Sequence, residues 1–146
     1  MSRTILHATD FSPASRAAFT KAVELARRDR APLLIAHALT PPVPVMGDGY
    51  MTPATWDALA EGYRKTSQKK LDAIVRKARA AGARARGLLL EGVPADAIVR
   101  AARARRAGML VVGTHGRSGV ARFFLGSVAG RVVAAARCPV LTVRGR

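Results

Sequence analysis

Short apolar runs alternate along this chain with longer segments whose apolar residues recur every three or four positions. Residues 4–8 have the length and apolar density of a strand buried on both faces. Asp10-Phe11-Ser12-Pro13 then switches the chain into a helix, with Ser12 suited to the N-cap and Pro13 to the first helical position, where its missing N–H costs nothing. Ala18, Ala22, Leu25 and Ala26 share one face while Arg16, Lys21, Glu24 and Arg27 lie away from it, which predicts a helix over about 13–30. A second apolar run, 33–39, is followed by a Pro- and Gly-rich stretch over 40–53. Leu71, Ile74, Val75 and Ala78 then mark the inner face of a second helix over about 54–81, which Gly82 is placed to end.

The same alternation continues to the C-terminus. A strand is expected near 84–90, a helix near 94–107 with Ile98, Ala101 and Ala102 inward, a strand at 109–112, a glycine-bearing loop, a helix near 127–137 and a strand at 139–143. Strands alternating with helices predict βαβ units and a parallel sheet covered on both faces. The expected fold is a single α/β domain over 1–146: a doubly wound five-stranded parallel sheet, flavodoxin-like or Rossmann-like, in the order 3-2-1-4-5. Ligands of such sheets bind beyond the carboxyl ends of the strands where the order reverses. Attention therefore falls on the ends of strands one, two and four.

Composition agrees with a folded domain. The 146 residues are 49% hydrophobic, so disorder is not expected despite a formal net charge of +16 from 25 basic and 9 acidic residues. That charge suggests a polyanionic partner, although most of the cations are arginine in an alanine-rich chain, as an Arg-biased surface would also give. No window approaches the ~20 apolar residues of a membrane span, and no long apolar segment follows the N-terminus. A soluble, cytoplasmic protein is expected. Cys138, the lone cysteine, reads as a buried thiol, and His7, His37 and His115 lack metal-ligand spacing.

Strand four runs into Gly113-Thr114-His115-Gly116-Arg117-Ser118-Gly119, and Gly126-Ser127 precedes the last helix. Glycines let backbone N–H groups approach a polyphosphate, and the start of a helix favours an anion. The same glycines suit a tight turn, and Ser127 suits a helix cap. Neither the Walker-type loop nor the dinucleotide fingerprint occurs. Asp10, directly after strand one, can accept from ribose hydroxyls, hold a divalent cation or stabilise the start of helix one. Arg117 and Arg122, with help from Arg131, lie near the motif; His7 and His37 read as residues packed against the sheet.

The glycine pattern Gly-x2-Gly-x9-Gly-Ser, with Thr9-Asp10-Phe11-Ser12, His37-Ala38, Leu125-Gly126-Ser127-Val128 and Cys138-Pro139-Val140-Leu141, resembles the universal stress protein family, specifically its ATP-binding branch, over essentially the whole chain. The resemblance implies an ATP-binding stress-response or regulatory module with Mg²⁺. Asp10 matches the acidic position near the ribose or its metal, with Ala8 and Thr9 along the same edge, and Ala38 the position whose backbone meets adenine. Gly113, Gly116, Gly126 and Ser127 match the phosphate set, with His115, Arg117 and Val128 beside it. The small Ala8 and Ala38 stand where bulkier residues are common in the family. The resemblance also implies a homodimer through the last strand, with Val140, Leu141 and Val143. Two other functions remain open: a slow ATPase or phosphotransferase, and weak nonspecific nucleic-acid binding through Arg100, Arg103, Arg105, Arg106 and the helix-two cations.

Overall fold

The computed structural model describes residues 3–40, 51–114 and 126–145. Its elements are β1 (Ile5–Ala8), α1 (Pro13–Arg28), β2 (Leu33–Leu39), α2 (Pro53–Ala80), β3 (Ala85–Glu91), α3 (Pro94–Ala104), β4 (Met109–Thr114), α4 (Ser127–Ala135) and β5 (Val140–Arg144). The strands form one parallel sheet in the order β3-β2-β1-β4-β5, as the sequence predicts.

Alternation along the strands divides the core into two halves. On one face Ile5, Leu33, Ile35 and Val111 meet Ala18, Ala22 and Leu25 of α1 and Leu71, Val75 and Ala78 of α2. On the other, Leu6, Ala36, Leu110 and Val112 meet Ile98, Ala101 and Ala102 of α3 and Ala129 and Val132 of α4. The apolar residues that define the helical faces in the sequence are thus the ones buried, apart from Ile74, which is partly covered. Each fully covered leucine or isoleucine contributes roughly 1.5–3 kcal/mol relative to exposure. Cys138 is half-buried against the α3–α4 face, so its thiol is less enclosed than expected, and burial pushes its pKa up.

Helices α1, α2 and α3 end in the same way. The residue after each C-cap, Arg30, Gly82 or Arg106, has a positive φ of 51°, 92° or 50°. In each case its N–H bonds a carbonyl three residues back, and the next N–H reaches five back: Ala31 to Ala26, Ala83 to Ala78 and Ala107 to Ala102. These are Schellman turns with an alanine pair closing each. They stop α1 and α3 a few residues earlier than the apolar pattern suggests. Because every strand is parallel, all three turns lie at the edge where the strands begin, and the helix N-termini gather at the edge where the strands end.

Candidate functional site

The β1–α1 turn is built from side chains bonding to backbone. The Phe11 N–H donates to Thr9 Oγ1 at 3.0 Å, the Ser12 N–H donates to Asp10 Oδ1 at 2.9 Å, and Ser15 Oγ donates to the Ser12 carbonyl at 2.8 Å. These bonds hold Phe11 at φ 64°, a left-handed conformation that costs a non-glycine residue on the order of 1–3 kcal/mol. Ser12 occupies the N-cap position, but its side chain makes no capping bond, which departs from the expectation; Asp10 and Thr9 organise the turn in its place. Burial alone would raise the Asp10 carboxyl, yet the adjacent Ser12 hydroxyl and N–H outweigh it and hold the group below the usual carboxylate range. Asp10 is therefore an anion at neutral pH.

His37 bridges β2 to this turn. Its Nδ1 lies 2.8 Å from the Thr9 carbonyl, an acceptor only, so Nδ1 is the donor. The ring stacks on Phe11 with centroids 4.2 Å apart, and Nε2 is buried without a hydrogen-bond partner among the described residues. His7, one step deeper, is fully buried, donates from Nδ1 to the Val111 carbonyl at 3.0 Å and likewise leaves Nε2 unpaired. Both histidines pack against the sheet as expected, but only His37 reaches the cavity described next.

That cavity, about 330 Å³, opens where β1 and β4 part, the point at which strand order reverses. The expected residues Ala8, Thr9, Asp10, Ala38, Gly113, Gly126, Ser127 and Val128 all line it. His115, Gly116 and Arg117, like Arg122, lie outside the described residues. Arg131 pairs with Asp96 at 3.4 Å, linking α4 to α3 instead of assisting the glycine motif. Gly126 is the N-cap of α4 and Ser127 its first residue, so Ser127 does not cap the helix. The cavity meets the N-terminal ends of α1 at Ala14, of α3 at Pro94 and of α4 at Ser127, where the helix dipoles favour an anion, although Pro94 brings no N–H.

The wall also includes residues that the sequence did not assign to the site, among them His37, Tyr63 and Ile98. His37 and Ile98 carried a signal, as a strand-end residue and a residue of an inward helical face. Tyr63 carried none, because it reaches the cavity from the third turn of α2, whose first buried residue is Ser67. Among the described residues no group of three or more His, Cys, Asp or Glu side chains could enclose a metal, so Asp10 is a single carboxylate. No helix of the described residues is long and apolar enough to cross a membrane.

The model of the universal stress protein family matches residues 1–144. A universal stress protein of Thermus aquaticus is 36% identical over 144 residues, covering 99% of this chain and all of the relative. A universal stress protein solved in complex with cAMP is 29% identical and superposes with a TM-score of 0.67, covering 99% of this chain and 98% of the other. The Archaeoglobus fulgidus protein solved with dAMP is 25% identical with a TM-score of 0.66, at 99% and 98% coverage.

Proposed function

The chain belongs to the universal stress protein family, and from that premise we propose that it binds an adenine nucleotide, ATP with Mg²⁺, at the carboxyl ends of β1, β2 and β4. The observation that carries this reading is the cavity at the reversal point, entered by three helix N-termini and edged by the Asp10 carboxylate. The relatives solved with cAMP and dAMP support the same ligand class.

On this reading the phosphates meet the backbone of Gly113 and Gly126, the Ser127 hydroxyl and the first N–H groups of α4, with His115, Gly116 and Arg117 completing the loop. Ala8 and Ala38 bound the base, Asp10 and Thr9 face the ribose, and Val128 lies beside the phosphate set. A divalent cation fits as an ion shared between Asp10, phosphate oxygens and water, since Mg²⁺ is commonly held by one or two carboxylates with substrate phosphates. The bound state is read by protein partners in a cytoplasmic stress response. Dimerisation through β5 fits its position at the edge of the sheet with Val140, Leu141 and Val143 partly exposed, because an apolar edge invites pairing.

Calorimetric titration with ATP, ADP, AMP and cAMP, with and without Mg²⁺, tests the site. Saturable binding by the wild type and its loss in Gly126→Val are expected. Absence of binding by all four nucleotides would remove the proposal, and unchanged binding by the variant would move the phosphates elsewhere.

A further inference from the structure

The formal net charge is +16, and the described carboxylates are unevenly placed. Asp10, Asp57, Glu61, Glu91 and Asp96 belong to strand ends or helix beginnings, at the nucleotide-cavity edge. The opposite edge, where strands begin and helices end, carries arginines. Its described carboxylate, Asp29, is already held by Arg28 at 2.7 Å.

A pit of about 620 Å³ opens at this second edge, between the starts of β2 and β3 and the ends of α2 and α3. Its wall includes Thr4, Leu34, Arg79, Arg84, Arg86 and Arg105, and no lining residue is acidic. Two of the guanidinium groups are tethered by the backbone: Arg79 Nε donates to the Ala85 carbonyl at 2.9 Å, and a terminal nitrogen of Arg84 donates to the Arg30 carbonyl. Each tether uses one of five N–H donors and leaves a planar fork for an anion. Arg86 and Arg105 have no carboxylate partner among the described residues. Helix dipoles favour cations at Arg79, in the last turn of α2, and at Arg105, the C-cap of α3. Arg84 and Arg86 stand at the start of a strand and receive no such compensation, so the cluster is self-repelling until an anion enters.

We propose that this pit is a second anion site that takes a linear inorganic oligophosphate, separate from the nucleotide cavity at the opposite edge. Guanidinium forks match phosphate oxygens two at a time, and four of them suit a ligand with several linked phosphates. No aromatic ring lines the pit, so it offers no aromatic platform for a base. The guanidinium forks are matched by phosphate oxygens alone, so a phosphate chain meets the chemistry of the pit without bases.

Titration of the full chain with sodium tripolyphosphate tests the assignment. Saturable binding should weaken roughly tenfold or more in the double variant Arg86→Gln/Arg105→Gln, fall less in Arg86→Lys/Arg105→Lys, which keeps charge but loses the forks, and persist in Gly126→Val. Unchanged affinity in the glutamine variant, or loss in Gly126→Val, overturns the proposal. So does duplex DNA that binds the wild type more tightly than tripolyphosphate with the same dependence on Arg86 and Arg105. Amide NMR of the wild type supplies a readout that no folding defect can confuse. Shifts at Leu34 and Ala85 support the pit, and shifts confined to Gly126 and Ser127 refute it.

Discussion

Gly113 and Ala14 approach so closely that a Cβ on the glycine would stand 2.8 Å from the Ala14 carbonyl oxygen and 3.2 Å from Ser15 Cα. The glycine that opens the proposed phosphate motif is also the point at which the first turn of α1 lies against the end of β4. Both neighbours are backbone atoms, which cannot rotate away. Gly113→Ala should destabilise the unliganded protein by about 1–3 kcal/mol through overpacking. Urea unfolding in the absence of nucleotide measures this, and an unshifted midpoint would show that the contact is slack.

Close packing at Gly113 shows where the sequence is readable and where it is not. Element order and both helical faces follow from periodicity, because a parallel sheet covered on two sides must bury its strands fully and one stripe of each helix. The strand-end site follows from topology. Chain ends of helices are harder. Gly82 announces the stop of α2, but Arg30 and Arg106 adopt the same left-handed conformation with nothing in their residue type to reveal it. The β1–α1 turn is legible only in part for a related reason: Ser12 takes the N-cap position, yet the Asp10 carboxylate and Thr9 hydroxyl accept the nearby backbone N–H groups and the Ser12 side chain makes no capping bond. Tyr63 is invisible to pattern because a helix longer than the sheet brings a residue to the cavity that its own core-facing stripe does not include.

The buried His7 makes stability depend on pH. Its pKa is lowered from 6.5 to about 4, first by burial, against the opposing effects of the Val111 carbonyl and Asp10. The unfolded chain therefore binds the proton before the folded one does, and stability falls as pH drops from 6.5 toward 4. The full shift corresponds to roughly 3 kcal/mol at most. Asp10 acts lower, because its depressed pKa gives stability that is present above the ordinary carboxylate range and lost as pH falls below it. Urea midpoints measured in steps from pH 7 to pH 4 should decline in the wild type and flatten in His7→Gln. Equal slopes in the two proteins would assign the dependence to other groups.

Thr9 holds the turn that presents Asp10. Its hydroxyl accepts the Phe11 N–H at 3.0 Å and lies 3.1 Å from Ser15 Oγ, in a buried position. Thr9→Val keeps the shape but leaves that partly buried N–H unpaired, at a cost of about 1 kcal/mol. The strain at Phe11 then has less to oppose it. Lower stability and weaker adenine-nucleotide affinity are expected together, by urea titration and calorimetry on the same preparation. Weaker affinity with unchanged stability would instead make the hydroxyl a direct ligand contact.

The three Schellman turns allow an internal comparison. Arg106 holds φ 50° at the end of α3, where Gly82 holds 92° at the end of α2, and the hydrogen bonds around them are equivalent. A non-glycine residue loses about 1–2 kcal/mol in this conformation, while glycine loses about 0.5–1 kcal/mol more entropy on folding. The difference predicts that Arg106→Gly stabilises the protein by about 0.5–1 kcal/mol and that Gly82→Ala destabilises it by about 1 kcal/mol. Removing one cation from the arginine-rich edge adds to the gain in Arg106→Gly, and that added part should shrink as salt rises. Thermal unfolding of both variants at low and high ionic strength separates the two contributions. A gain that vanishes entirely at high salt would mean charge repulsion, and not backbone strain, is what Arg106 imposes.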